Sequence, residues 1–301
     1  MKKYNIKVIV KAWNSEFWQT MLSGAKAAMA EAPDQIEVEV MAPPEESDIL
    51  QQVEMLKQVV NEKPDGIVIA STSNDLTVPF IEAAMDAGIP VVTLDNQVST
   101  EKYTSFIGTD SKIAAGMAAD ALFEKLHNSG ESLVGKKVIV INSSKISKVD
   151  LDRDAGFIER IKTLAPEIEI LETQYVENDV VLTENTVCEL LHDRNLVGIF
   201  ADNDMTGVGI ANGIRRAGAQ GRVFSYAFDA NEVEIEAVQD EVLTGMIVQK
   251  PFQIGYMGVQ CVIDALAGNS VERKIDPGAE LVTKENLQDR DVQKLLYPEK
   301  M

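Results

Sequence analysis

The sequence predicts an α/β fold made of two similar halves, because one pattern occurs twice in its 301 residues. A short apolar run that ends in small and polar residues occurs at Gly66–Ala70 and again at Gly198–Ala201. Each run leads into a helical segment, and each half then resumes with an apolar strand that ends in Asp, at Asp95 and at Asp229. Because ligands of open α/β sheets bind at the carboxyl ends of the strands, this pattern predicts a protein that binds its ligand in a cleft.

The first half predicts a doubly wound parallel sheet, since its continuous apolar runs are typical of parallel strands buried on both faces. Strands are expected at Ile6–Val10, Glu37–Met41, Gly66–Ala70 and Pro90–Leu94. Helices are expected over Glu16–Glu31 and after Asp48, which can cap the second helix. This βαβαβαβ order implies right-handed crossovers between the strands.

The second half repeats the same order of strands and helices. Strands are expected at Lys137–Asn142, Ile168–Gln174, Val197–Ala201, Val223–Phe228, Thr244–Gln249 and Glu280–Val282. A late helix is expected over Gly255–Leu266. No linker rich in Pro, Gly or Ser separates the halves, so several short crossings of the chain are expected rather than one flexible tether.

Composition narrows the possible functions. The net charge of −20 argues against a nucleic-acid-binding protein, because phosphate binding needs clustered Lys and Arg. No apolar stretch approaches the ~20 residues of a membrane span. The N-terminus has no apolar signal-peptide region, so the chain is expected to be either cytoplasmic or a mature form whose export segment has been removed. Cys188 and Cys261 lie in apolar helical patterns and are expected to be buried free thiols, which leaves the compartment open.

An aromatic cluster follows the first predicted strand. Both tryptophans of the chain, Trp13 and Trp18, occur there with Asn14, Ser15 and Phe17. Flat apolar rings can stack on the C–H faces of a small polar ligand while neighbouring polar groups bind its hydroxyls. The cluster is therefore a candidate binding site, and the alternative is that the rings anchor the first helix in the core.

Further polar side chains stand at or just beyond the ends of predicted strands. These are Asp95, Asn96, Asn203, Asp229 and Gln249. Carboxylates and amides suit a neutral polyhydroxyl ligand, because a carboxylate oxygen accepts hydrogen bonds from hydroxyls. The alternative role for a single Asp at such a position is a helix N-cap. Asp95 and Asp229 occupy equivalent places in the two halves, which favours the binding role.

Five motifs, spread over nearly the whole chain, together resemble one family. They are Asn14–Trp18, Pro90–Asn96, Phe200–Asp204, Ala227–Asp229 and Gln249–Gly255. They resemble the first-strand aromatic motif, the "IPVITLD" segment, the "F-A-x-N-D" motif, the "G-F-D" motif and the near-hinge stretch of the type I periplasmic binding proteins. The chain is thus similar to the ribose-binding-protein group of that family, whose members serve sugar ABC transporters.

The resemblance implies two Rossmann-like lobes with parallel sheets and three hinge crossings, near Thr109, Gln249–Pro251 and Ala279–Val282. The N-terminal lobe would comprise residues 1–109 and 251–281, and the C-terminal lobe 110–250 and 282–301.

The resemblance also implies a function. A monosaccharide or sugar alcohol would be captured between the lobes and delivered to an ABC transporter permease. The protein would be a monomer in the periplasm or a lipoprotein at the cell surface, without cofactor, metal or nucleic-acid partner. The alternative is the sugar-sensing domain of a regulator or of a membrane-coupled sensor.

Ligand positions carry over from the family one by one. They fall on Ser15, Phe17, Trp18, Asp95, Asn96, Asn203, Asp229 and Gln249. The chain departs from the ribose binders at three of the family's positions. Asn96 and Leu151 stand where they have Arg, and Asn178 replaces an aromatic residue. Asp152 and Arg153, which lie beside Leu151, and Asn178 are also candidate ligand-binding residues. Losing two guanidinium groups argues against ribose and leaves a hexose, another pentose or a sugar alcohol.

One cation near the predicted site leaves a question about the ligand. Whether Lys11 faces the cleft is open, and if it does, a charged substituent on the ligand becomes plausible.

Three features of the sequence resemble the motifs of other functional classes. Gly207–Gly213 nearly matches a dinucleotide fingerprint, but its third glycine is one place late, so packing of a helix against the sheet is expected to explain it. Asp150–Gly156 resembles a calcium loop without the required glycine. His127 and His192 lie in charged helical contexts and are expected at the surface. No nucleophile and base can be paired, so we expect no enzyme, and a nicotinamide-dependent one is the remaining rival.

Overall fold

The computed structural model describes residues 3–298, and within it the chain divides into two compact lobes. Of the described residues, the first lobe contains residues 3–109, Lys250–Pro277, Tyr297 and Pro298, and the second contains Asp110–Gln249 and Gly278–Leu296. The chain therefore passes between the lobes four times, whereas the sequence predicted three crossings.

Two lobe boundaries differ from the prediction. The sequence placed residues up to 281 in the first lobe, but the structure begins the second lobe at Gly278 because the strand Ala279–Thr283 pairs entirely with Gly245–Gln249 of that lobe. It also placed 282–301 in the second lobe, whereas Tyr297 and Pro298 belong to the first and residues 299–301 lie outside the described residues.

The described residues form thirteen strands. In chain order they are β1 Tyr4–Ile9, β2 Ile36–Met41, β3 Gly66–Ala70, β4 Val91–Leu94, β5 Ser105–Ile107, β6 Lys137–Asn142, β7 Glu169–Ile170, β8 Gln174–Tyr175, β9 Leu196–Ala201, β10 Phe224–Phe228, β11 Gly245–Gln249, β12 Lys274–Ile275 and β13 Ala279–Thr283.

Ten helices occur in the same range. They are α1 Glu16–Glu31, α2 Ile49–Glu62, α3 Val78–Asp86, α4 Ser111–Asn128, α5 Lys148–Leu164, α6 Val180–Leu190, α7 Asp204–Ala217, α8 Glu232–Gln239, α9 Pro251–Leu266 and α10 Arg290–Leu296.

The first lobe is a parallel sheet with strand order β12-β5-β4-β3-β1-β2. Helices α1 and α9 pack closely because a glycine of each helix faces the backbone of the other helix. A Cβ atom on Gly24 would lie 1.9 Å from the carbonyl oxygen of Phe252, and one on Gly255 would lie 1.9 Å from that of Met21. This contact covers one face of β1, β3 and β4, whose apolar side chains form the core there.

The second lobe repeats the design with strand order β13-β11-β10-β9-β6-β7, and β8 also pairs with β6. All pairs are parallel except β11 with β13. The predicted strand Ile168–Gln174 is split into β7 and β8, which pair with opposite ends of β6 and leave 171–173 outside the ladder. The predicted fold class, two α/β lobes with parallel sheets, is confirmed.

Candidate functional site

Both lobes use the same backbone geometry to place a carboxylate at the carboxyl edge of the sheet. Asp95 follows β4 with φ 67°, and Asp229 follows β10 with φ 71°. Their N–H groups donate to the carbonyl oxygens of Ile107 (2.9 Å) and Ile247 (2.8 Å), each the third residue of the adjacent strand. The left-handed conformation is uncommon for residues other than Gly, and its recurrence at equivalent positions indicates a shared role for the two carboxylates.

A lysine neutralises the carboxylate of the first lobe. Lys11 Nζ lies 2.7 Å from Asp95 Oδ2, and the two side chains are only 15% and 14% exposed. The same ammonium stands over the ring of Trp18, 5.0 Å from its centroid. The pairing of these opposite charges makes this part of the lobe electrically neutral.

An arginine does the same in the second lobe. Arg153 Nη1 lies 3.6 Å from Asp229 Oδ2 and donates to the carbonyl oxygen of Asp202 (2.8 Å). Its guanidinium is stacked over Phe228, 3.7 Å from the ring centroid. Gln249, which ends β11, donates to the other oxygen of Asp229 (2.8 Å). Each lobe therefore combines one carboxylate, one cation and one aromatic ring.

Each lobe also holds a pair of linked amides at this edge. Asn96 donates to the side-chain oxygen of Asn74 (2.8 Å), and Asn203 donates to that of Asn178 (2.9 Å). The Oδ1 atom of Asn96 is buried and, among residues 3–298, has no hydrogen-bond partner. An unsatisfied buried acceptor costs about 1–3 kcal/mol, so a hydroxyl donor at this point would be stabilising.

The aromatic cluster after β1 divides into a buried and an accessible part. Trp18 is 4% exposed and donates through Nε1 to Glu46, so its ring is mainly part of the core. Phe17 is half-buried and meets Trp18 edge to face at a centroid distance of 4.8 Å. Trp13 is 39% exposed. Trp18 therefore anchors α1, as the alternative predicted, whereas Phe17 and Trp13 remain partly accessible and their contact with a ligand stays a prediction.

Two polar members of the first-strand cluster lie beside these rings. Ser15 is the N-cap of α1 by its backbone, and its hydroxyl makes no capping hydrogen bond. Asn14 is exposed. Both side chains are thus accessible at the carboxyl edge of the first-lobe sheet.

The predicted ligand residues Asp152 and Arg153 have different surroundings in the structure. Asp152 is half-buried and pairs with Lys148 one turn earlier on α5. Arg153 is 5% exposed and contacts Asp229. The sequence counted the second-lobe guanidinium as lost because Leu151 stands at the family position. The structure corrects this, since Arg153 supplies a guanidinium two residues later on the same helix.

Some residues at these edges were not predicted. Asn74 follows β3 in the polar run Ser71–Asp75, whose composition was the available signal. Tyr175 ends β8 opposite Asn142 and lies under the ammonium of Lys145, 5.2 Å from the ring centroid. Asp154 is buried on α5. Asn74 stands four residues beyond the end of β3, and Tyr175 and Asp154 follow no long apolar strand, which is why the pattern missed them.

The N-cap alternative applies to only one of the predicted polar residues. Asn203 caps α7 in a capping box with Thr206, and its amide nitrogen remains available to Asn178. Asp95 precedes no helix, and the cap of α8 is Asn231 rather than Asp229. The two aspartates are thus not explained as helix caps.

Burial shifts two carboxyl groups next to the second-lobe cluster. It raises the pKa of Asp154 to about 7, with Asp202 and Asp150 adding to the rise and Asn142 opposing it. It raises the pKa of Asp202 to about 6, with Asp150 adding to the rise, although hydrogen bonds from Ser143 and Thr206 oppose it. Near pH 7 this region therefore carries less negative charge than its sequence suggests.

The segments that resemble a calcium loop and a dinucleotide fingerprint have structural explanations. Asp150–Gly156 lies within helix α5, so it lacks the loop conformation of a calcium site. In α7, a Cβ atom on Gly207 would lie 1.9 Å from Glu234 Oε1 of α8, and one on Gly209 2.4 Å from Thr183 Cβ of α6. A Cβ atom on Gly207 would also lie 2.8 Å from the Cβ of Ala227 on β10. The glycines thus allow α7 to pack closely against the sheet, as expected, and also against neighbouring helices.

The histidines and cysteines also have plain surroundings. His127 and His192 are exposed as predicted. Both cysteines are free as predicted, and Cys261 is buried, whereas Cys188 is only half-buried. No helix among the described residues is long and apolar enough to span a membrane.

This architecture defines an α/β protein with two lobes and matched polar edges, and the chain belongs to the periplasmic binding protein domain family, whose profile matches residues 6–270. It is similar to the D-ribose/D-allose-binding protein of Pseudomonas aeruginosa, with 26% identity over 94% of this chain and 89% of that protein. It is also similar to the ribose import binding protein RbsB of Escherichia coli, with 25% identity over 95% of this chain and 92% of that protein.

Solved structures agree with this assignment. An ABC transporter solute-binding protein from Agrobacterium vitis with bound D-fucose is 32% identical and superposes with a TM-score of 0.82, covering 97% of this chain and all (100%) of that one. A carbohydrate transporter solute-binding protein from Agrobacterium radiobacter in complex with D-arabinose is 26% identical with a TM-score of 0.85, covering 98% and 99%. These similar proteins are named as binding proteins rather than enzymes.

Proposed function

We propose that this protein captures an uncharged monosaccharide or sugar alcohol and delivers it to the permease of an ABC transporter. The observation that carries the proposal is the repeated strand-end arrangement of carboxylate, cation, aromatic ring and paired amides, once in each lobe. These are the groups that bind hydroxyls and stack on sugar C–H faces. The sugars bound to the similar proteins support the same class of ligand.

The charge balance of the two clusters argues for an uncharged ligand. Lys11 is already paired with Asp95, and Arg153 with Asp229. A carboxylate, phosphate or ammonium group on the ligand would have to be desolvated without a free opposite charge, which is expensive. Under this proposal, Lys11 does not select a charged substituent on the ligand.

In this proposal the strand-end cluster of each lobe supplies groups that bind sugar hydroxyls. The first lobe supplies Asp95, Asn96 and the ring of Phe17, and the second supplies Asp229 and Asn203. A network of hydroxyl hydrogen bonds and one stacked ring is sufficient for micromolar affinity, which corresponds to about −8 kcal/mol.

The protein is proposed to work outside the cytoplasm, in the periplasm or at the cell surface, where its family members act. Each lobe offers apolar side chains beyond the strand ends for contact with a membrane partner. Ile146, in the loop before α5, is 91% exposed, and Leu50, in the first turn of α2, is 74% exposed.

A thermal-shift screen tests the proposed ligand class. Neutral sugars (D-ribose, D-allose, D-fucose, D-arabinose, D-galactose and sorbitol) are compared with charged analogues, D-galacturonate and D-glucosamine. A ligand at 100 times its Kd stabilises the folded state by about 2.7 kcal/mol, which raises Tm by several degrees. At least one neutral sugar is expected to do so, and its charged analogue is not. Stabilisation by charged sugars alone, or by none of the compounds, would contradict the proposal.

The permease role has a separate test. The variants Ile146→Asp and Leu50→Asp are expected to keep the sugar affinity of the wild type and to lower uptake into vesicles that carry the cognate permease. Unchanged uptake with both variants would contradict the docking surface while leaving sugar binding intact.

A further inference from the structure

Gln52 is a fully buried polar residue in the first lobe, far along the chain from every predicted ligand position. It lies on α2 with an exposure of 0%, and its buried companions on that helix, Leu56 and Val59, are apolar. A buried amide must satisfy its donors and acceptor to avoid a large desolvation cost. Its partners therefore show what the residue is there to hold.

All four hydrogen bonds of the Gln52 side chain go to the ends of two strands. Its Nε2 donates to the carbonyl oxygens of Val10 and Ala70, each at 2.9 Å. Its Oε1 accepts from the N–H of Thr72 at 2.8 Å and from the hydroxyl of Thr72 at 2.9 Å. The amide thus has two donors and two accepted bonds in use.

These hydrogen bonds join β1 and β3 just beyond the point where their pairing ends. Between β1 and β3, the last paired residues are Ile9 and Ile69. The carbonyls of Val10 and Ala70 lie one residue beyond this pair, and Gln52 binds both of them. One side chain from α2 therefore fixes the spacing of two chain segments as they leave the sheet.

The segments that leave the sheet carry the first-lobe cluster. Val10 immediately precedes Lys11, whose ammonium pairs with Asp95. Thr72 is two residues before Asn74, which accepts the hydrogen bond of Asn96. A shift of either segment would change the position of a predicted sugar-binding carboxylate or amide.

We propose that Gln52 is a positioning residue for sugar binding, which acts by tying the ends of β1 and β3 together so that Lys11 and Asn74 hold Asp95 and Asn96 in place. This inference rests on the proposed function. An apolar residue would fill the same space in the core but would make none of the four hydrogen bonds to the strand ends. Fully satisfied buried networks of this kind rigidify the groups they connect.

Sugar affinity of Gln52 variants is the first test. Gln52→Leu removes all four bonds, and Gln52→Glu keeps the two accepted ones and serves if the leucine variant does not fold. Ser105→Ala is the matched control, because it removes a buried hydrogen bond (2.7 Å, to the carbonyl of Glu272) at the amino end of β5 in the same lobe. At a temperature where all proteins are folded, Kd is expected to rise at least tenfold for the Gln52 variants and less than twofold for the control.

The pH profile separates positioning from a general loss of stability. A buried glutamate at position 52 is protonated more easily than one in water, and its protonated form regains one of the two donors. The Kd ratio of Gln52→Glu to wild type is therefore expected to fall as pH is lowered from 8 to 5, whereas the ratio for Gln52→Leu stays constant.

Amide hydrogen exchange of the ligand-free protein tests the inference without any sugar. The N–H of Trp13 is bound to the carbonyl of Pro43, and that of Ser99 to the carbonyl of Asn74, and neither amide touches Gln52. Both are expected to exchange at least tenfold faster in the Gln52 variants, and to be unchanged in Ser105→Ala.

The outcomes distinguish this inference from the proposed function. If the wild type binds no sugar, the proposed function fails, and the exchange rates of Trp13 and Ser99 still decide the positioning claim. If the wild type binds sugar while the Gln52 variants bind within twofold of it, or exchange at the wild-type rate, the inference is wrong.

Discussion

The replacement Asp154→Asn is expected to remove one large contribution to the pH dependence of stability in the second lobe, while the buried carboxyls of Asp202 and Glu234, whose pKa values are also raised, keep theirs. Asp154 lies on α5 with an exposure of 6%, and its Oδ1 atom has no hydrogen-bond partner within the described range 3–298. Burial raises the pKa of this carboxyl from 3.8 to about 7, with Asp202 and Asp150 nearby adding to the rise. The folded protein therefore favours the protonated, uncharged form.

The size of the effect follows from the pKa difference. A rise from 3.8 to about 7 is about three pH units, and at about 1.4 kcal/mol per unit it amounts to about 4 kcal/mol. Between these two pH values the folded state retains a proton that the unfolded state releases, so the free energy of unfolding falls as pH rises from about 4 to about 7 and is level above that. Asparagine resembles the protonated form at every pH. The variant should match the wild type near pH 4 and exceed it by about 4 kcal/mol at pH 8.

Urea unfolding followed by far-UV circular dichroism at pH 4.5 to 8.5 measures this difference. Tryptophan fluorescence provides an internal reference, because both tryptophans, Trp13 and Trp18, lie in the first lobe. The control Asp152→Asn changes a half-exposed carboxyl on the same helix and should leave the pH profile close to that of the wild type. The reasoning is refuted if Asp154→Asn keeps the wild-type pH slope or is the less stable protein at pH 8.

Three further changes have defined outcomes. Gly156→Ala should lower the free energy of unfolding in urea by several kcal/mol, because its Cβ would lie 2.2 Å from a backbone carbonyl oxygen of α4. The control Gly116→Ala, in the same helix pair with its nearest atom at 3.9 Å, should be neutral or stabilise by up to about 1 kcal/mol. Equal losses of stability in the two variants would contradict this. Lys11→Met leaves the Asp95 carboxylate without its cation and should raise the sugar Kd ten- to a hundredfold by calorimetry; unchanged affinity would exclude Lys11 from the site. Phe17→Ala removes the half-buried ring and should raise Kd about fivefold, and no change would show that this ring does not contact the sugar.

Elements with long regular patterns were predictable from the sequence. The helix expected over Glu16–Glu31 and the strands expected at Gly66–Ala70 and Lys137–Asn142 have those bounds in the structure. Strands of two or three residues were missed, such as Ser105–Ile107 and Lys274–Ile275, because so few residues carry no periodicity. Their formation depends on partners that are remote in sequence.

The candidate site was predictable as a set of positions but not as a set of pairs. The equivalence of Asp95 and Asp229 was visible in the sequence, since both end an apolar strand. The partnership of Lys11 with Asp95 spans 84 residues and depends on the strand order of the sheet. Likewise, the burial of Trp18 depends on Glu46, a residue in another loop. Such contacts follow from tertiary packing, which local patterns do not contain.

The central claim, which is a proposal, is that the strand-end carboxylates Asp95 and Asp229 bind one uncharged sugar. Isothermal titration of the sugar that gives the largest thermal shift, with the wild type, Asp95→Asn and Asp229→Asn, tests it most directly. The account predicts one sugar per chain at micromolar Kd for the wild type and a loss of at least tenfold in affinity for each variant, since each removes a carboxylate acceptor in a different lobe. Two independent sugars per chain, or wild-type affinity in either variant, would contradict it.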